Sequence, residues 1–169
     1  MDDQRFAADR PDVLTYTTDP LTAAVHIAGS PVAHLVASTS ADDADFVVKV
    51  IDVYPDTYPA KPELGGYQLP VSMDIVRARY RDDPAVAERM PSNVPVSVAV
   101  PLPTADHVFL PGHRIMVQVQ SSWFPLYDRN PQKWVDNIFR AQPEDYVAAP
   151  HRIHHAPGQA SYVALPVVP

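Results

Sequence analysis

Phe46-Val47-Val48-Lys49-Val50-Ile51-Asp52-Val53-Tyr54 is the stretch that decides the fold. Valine and isoleucine carry two heavy atoms on Cβ, lose rotamer freedom against a preceding helical turn, and pack well on a pleated surface. The run is short and stops at Pro55, which favours a strand over a buried helix. Its near-continuous apolarity predicts a central strand covered on both faces.

Outward from this strand the same chemistry repeats. Residues 13–18 are rich in β-branched and aromatic types and stop at Asp19-Pro20. Residues 24–28 stop at Gly29-Ser30-Pro31, and 32–39 run into the polar turn Ser40-Ala41-Asp42-Asp43. Residues 71–80 read as a further strand. Val94, Val96, Val98 and Val100 alternate at period two, and Pro95 marks that strand as an edge. Ile115, Val117 and Val119 alternate with Met116, Gln118 and Gln120, which predicts a half-exposed strand entered through the turn Pro111-Gly112. Val163, Leu165 and Val167 close the chain in the same way.

Two short helical pieces are expected. One lies within 82–90, where Asp83 is placed to cap and Pro84 to open the turn. The other lies within 133–142, where Trp134 and Ile138 stand four apart. Twenty prolines against five glycines argue for many short strands joined by ordered turns. The expectation is one domain over 1–169, an all-β sandwich of about eight or nine strands with little helix.

Composition narrows the function. The net charge is −7, and the densest basic stretch, Arg77-Ala78-Arg79-Tyr80-Arg81, runs straight into Asp82 and Asp83. A nucleic-acid partner needs a concentrated basic face, so neither nucleic acid nor an anionic membrane is expected. No apolar run approaches the length of a membrane-spanning helix. Met1-Asp2-Asp3-Gln4-Arg5 is polar, so no signal peptide is expected, and the compartment stays open. With no cysteine there is no disulfide, thiolate metal site or Cys nucleophile.

The search for a catalytic centre fails on spacing. A nucleophile elbow needs Gly-x-Ser-x-Gly between strand and helix, and Gly29-Ser30-Pro31 lacks the second glycine. Phosphate-binding glycine patterns are absent. His151, His154 and His155 would share a helix face and hold a metal only on a helix, and Pro150 and Pro157 bracket them, so they read as a surface loop. His107 and His113 read as histidines bonding backbone around a tight turn. Asp42, Asp43 and Asp45 lack calcium-loop spacing and read as a solvated turn. No catalytic, cofactor-binding or metal residue is assigned, and no cofactor is expected.

Residues 121–131, with Trp123, Phe124, Tyr127 and Arg129, remain. Aromatics with arginine are typical of interface cores, so these four are the candidate interface residues, backed by Gln118 and Gln120 at the neighbouring strand end. Aromatics on a sandwich also stack on sugars, and an independent carbohydrate- or ligand-binding module is the alternative.

Six segments in order resemble the C-terminal domain of the X-Pro dipeptidyl-peptidase/cocaine esterase group of serine hydrolases. They are Asp3-Gln4-Arg5 through Thr17, Val48 to Pro55, Arg77 to Arg81, Pro111-Gly112-His113-Arg114-Ile115, Ser121-Ser122-Trp123-Phe124-Pro125, and Ala160 to Val167. The long loop after Trp123 is most similar to the α-amino acid ester hydrolase and glutaryl-7-aminocephalosporanic acid acylase branch. The resemblance implies a jelly-roll sandwich of galactose-binding-domain type, following an α/β-hydrolase domain and a helical cap. Its Ser-Asp-His triad lies in the hydrolase domain, so no position here inherits it. The partners it implies are the hydrolase and cap domains of a parent chain, with a homo-oligomer also open. Peptide, amino ester and cephalosporin side chain all remain open as parent substrates.

Overall fold

A computed structural model describes residues 2–169. The predicted central strand is there as β4 (Asp45–Val53), buried on both faces until its last residue. It pairs antiparallel with β5 (Gln68–Arg77) on one side and β8 (Arg114–Gln120) on the other, and β1 (Val13–Thr17) adds to β8. This layer has the order β1-β8-β4-β5. The opposing layer holds β3 (Val32–Thr39), flanked by β6 (Val96–Pro101), β9 (His151–Ile153) and β10 (Tyr162–Ala164), and the pair β2 (Val25–Gly29) with β7 (Ala105–Phe109). The closing segment ties that pair in, through the bridge Ile27–Val167 and Val168 N–H donating to the His26 carbonyl.

Pairs 1–8, 2–7, 3–6 and 4–5 are thus nested, like one long hairpin rolled into a sandwich. The fold is an all-β sandwich, and its core lies between the layers, with Phe46, Val48 and Val50 meeting Leu35, Val98, Val100 and Phe109. β6 is an edge, as Pro95 signalled. The Pro111-Gly112 turn forms, with Gly112 at φ +84°, a conformation costly for any residue with a Cβ, and His113 N–H closes on the Leu110 carbonyl. Among the described residues no helix is long and apolar enough to cross a membrane.

Several expectations need correction. Residues 82–90 form turns, not a helix; Asp83 does cap, accepting from Ala85 N–H, but nothing propagates. Residues 133–142 contain only the 3-10 turn Ile138–Arg140. His151 opens a strand, not a loop. β7 and the short helix α1 (Arg5–Ala8) were not anticipated. Gln118 and Gln120 are buried, because the N-terminal stretch around Gln4 covers the outer face of β4 and β8.

Candidate functional site

The turn 40–45 is no solvated loop. Asp43 and Asp45 are buried, and each meets an arginine: Arg77 at the end of β5 for Asp45, and Arg79 in the 3-10 turn just after it for Asp43. Asp43 receives Arg79 Nε at 2.9 Å, and Asp45 receives Arg77 Nη1 at 3.0 Å and Asn130 Nδ2 at 2.8 Å. Burial pushes the Asp45 carboxyl up to about 6 against the pull of Asn130 and Arg77. Asp42 accepts from the Trp134 N–H, and the Trp134 ring lies under both Arg79 and Arg89. Charges at and just before the start of β4, and at and beyond the end of β5, thereby pin the long excursion 121–150 to the sandwich.

Pinned at this base, residues 121–131 project their aromatics outward. Gln120 Nε2 holds the start through the Ser122 carbonyl and Asn130 holds the end. Between these anchors Trp123 and Tyr127 stack with ring centroids 5.6 Å apart, and the Arg129 guanidinium lies 4.6 Å over Phe124. All four sequence-predicted residues therefore fall in one cluster. Trp123 is half-buried, while Phe124 is 57% exposed and Leu126, beside it, 66%. Gln118, expected beside them, is enclosed within the domain.

Trp123, Phe124, Leu126 and Arg129 form one wall of a half-open groove of about 1070 Å³, with Tyr127 stacked behind Trp123 and outside the lining. Residues from 2–14, Leu14 of β1 among them, and from 146–153 add to the lining, together with Phe46 and Val119 of the core. Phe6, 67% exposed, extends the apolar rim. Lys49 also lines it: its side chain is buried, and Nζ donates to Gln4 Oε1 at 2.7 Å. Sequence reasoning missed Lys49, Gln4 and Phe6. The available signal was a lone lysine in the middle of an apolar strand, since a lysine covered on both sides is rare.

The histidines do structural work. His107 Nε2 and His113 Nδ1 grip opposite oxygens of the buried Asp52 carboxylate, at 2.9 and 2.8 Å, instead of turn backbone. His151 sits between Ser121 Oγ and Gln132 Oε1, and burial holds its ring below the ordinary histidine range. His154 bonds Ser38, and His155 bonds Tyr16. The three are thus spread over separate partners. Among the described residues no group of three His, Asp or Glu side chains converges as a metal site would require.

Comparison with known proteins shows the chain to be similar to one part of larger hydrolases. Cocaine esterase of Rhodococcus sp. (strain MB1 Bresler) is 41% identical over 166 residues, which are 98% of this chain and 27% of that protein. An α-amino acid ester hydrolase structure superposes with a TM-score of 0.97 at 56% identity, over 99% of this chain and 27% of that one. An aminopeptidase from a marine-sediment Thaumarchaeota archaeon gives 0.97 at 52%, over 99% and 28%. A CocE/NonD family hydrolase from Staphylococcus aureus, 14% identical with a TM-score of 0.67, shares the fold. The chain therefore spans little more than a quarter of the length of the relatives it matches. The model of the X-Pro dipeptidyl-peptidase C-terminal non-catalytic domain matches residues 1–164, and the chain belongs to that family.

Proposed function

We propose that this chain is the non-catalytic C-terminal sandwich of a larger α/β-hydrolase-type serine hydrolase and docks on that enzyme's hydrolase and cap domains through the groove face. The observation that carries the reading is that Phe124, Leu126 and Phe6, all well exposed, line one open groove. Exposed apolar side chains gathered at one groove mark an interaction surface. Trp123, Tyr127 and Arg129 supply the stacked, pre-ordered contacts that binding hot spots use. The parent's chemistry is read as ester or amide hydrolysis, in keeping with the named relatives.

Hydroxyl-radical footprinting tests this. Trp123, Phe124 and Tyr127 are expected to oxidise several-fold more slowly in the full-length protein than in the isolated 169-residue chain. Equal rates would overturn the docking face. Saturable binding of the isolated chain on a glycan array would replace it with a sugar-binding module.

A further inference from the structure

We propose that Lys49 is the anchoring point in the groove for a carboxylate side chain carried on an apolar surface of the adjoining domain. The inference rests on the docking reading above and adds the chemistry of the partner.

Lys49 is the middle residue of β4, paired with Gln118 on β8 and Met73 on β5. It is only 2% exposed, yet it lines the groove. An ammonium carries three donors. Among the described residues Lys49 has one hydrogen-bond acceptor, the neutral Gln4 Oε1, and the Phe6 ring 5.7 Å away. The charge that acts on it is Arg10, of like sign, and Asp12, in the same lining, is already taken by Arg10 at 2.9 Å. The other two buried charges on β4 show the contrast: Asp45 has an arginine and Asp52 has two histidines.

A buried ammonium without a counter-ion is unfavourable, and such charges are ordinarily paired. Desolvation and the Arg10 charge together hold the Lys49 ammonium below the usual lysine range. A carboxylate entering the groove would supply the missing charge and an acceptor for the free donors. The rim of Phe6, Phe124 and Leu126 would exclude water around that pair, which strengthens it. A neutral or cationic occupant leaves the ammonium as it is. The groove therefore selects an acidic side chain set in apolar surroundings.

Zero-length carbodiimide coupling in the full-length protein, read by mass spectrometry, tests this directly. The expected product is an amide between Lys49 Nζ and an Asp or Glu outside residues 1–169. Coupling of Lys49 solely to acids within 1–169 would overturn the anchor. Lys49→Met gives a second readout. In the isolated chain it is expected to leave the melting temperature equal or higher, since an uncompensated charge is removed. In the full-length protein it is expected to abolish the radical protection of Phe124. If the wild type is protected and Lys49→Met keeps that protection, the anchor fails while docking stands. If the wild type shows no protection, the docking reading itself fails.

Discussion

Arg79 Nε donates to the Asp43 carboxylate at 2.9 Å, and both side chains are shut away from solvent. Arg79 also donates to the Val135 carbonyl and lies 4.5 Å over the Trp134 ring. One guanidinium thus joins the sandwich to the excursion that carries the aromatic cluster. Removing one member of a buried pair leaves the other charged and alone, which costs about 3–5 kcal/mol. Asp43→Asn and Arg79→Met are each expected to destabilise the chain by that order in urea denaturation. Arg79→Lys is expected to rescue only partly, because lysine keeps the charge but loses the planar fork and the stack. Limited proteolysis should then find new cleavage sites within 133–142.

This network explains what the sequence showed and hid. The central strand and the Pro111-Gly112 turn were legible, because each is set by neighbours a few residues away; the alternation of 115–120 marked a strand but not its burial, since Met116, Gln118 and Gln120 on the face expected outward are all buried. The acidic turn was not. Asp43 and Asp45 have a surface composition, and their arginines lie more than thirty residues downstream. The two expected helices fail for related reasons. Trp134 is held by Arg79 and Arg89, and Glu88 and Met90 donate their N–H groups to the Arg79 and Asp42 carbonyls, outside any helix. A short helix has too few bonds to offset nucleation, so such tertiary ties win. In the site, the aromatic cluster was readable as density of type. Its continuation through Phe6 and Lys49 was not, because the N-terminal stretch reaches the groove only through the fold.

Asp45 makes stability fall with rising pH. A carboxyl whose folded pKa, about 6, exceeds its unfolded value holds its proton longer when folded. Across roughly pH 4 to 6 the folded chain then binds more protons than the unfolded one, so this group's contribution is lost as pH rises. The full swing is about 3 kcal/mol at most, from about 1.4 kcal/mol per unit. Asp45→Asn removes the titration. The stability of wild type minus that of Asp45→Asn, measured in urea at a series of pH values, is expected to decline over this window. A flat difference would refute it.

His151 works in the opposite sense. Burial disfavours its imidazolium, so its folded pKa lies below the unfolded value of 6.5. The stability it contributes is present above that value and is lost as pH falls through the folded pKa. The wild type minus His151→Gln difference should therefore rise from pH 5 toward pH 7. Parallel pH profiles for the Asp45 and His151 variants would contradict the assignment.

Asp52 holds three elements at one point: its own strand β4, His107 of β7 and His113 in the turn that enters β8. Hydrogen bonds to a charged group contribute about 1.5–3 kcal/mol each. Asp52→Ala is expected to destabilise the chain by about 3 kcal/mol, with His113→Ala close behind. His107→Ala should cost less, since its side chain is partly solvated. Thermal melts that rank His107→Ala as the worst of the three would overturn this order.

The aromatic rim should be nearly free to change in the isolated chain. Phe124 and Leu126 contribute little to the core, and substitutions at exposed positions usually fall within about 0.5 kcal/mol. Exposed apolar patches instead drive self-association. Phe124→Ser with Leu126→Ser is therefore expected to keep the melting temperature while shifting concentrated chain toward monomer in sedimentation velocity. Two effects must appear together, unchanged stability and reduced association. A large drop in melting temperature would mean the loop is part of the sandwich's own core and not a face kept for a partner.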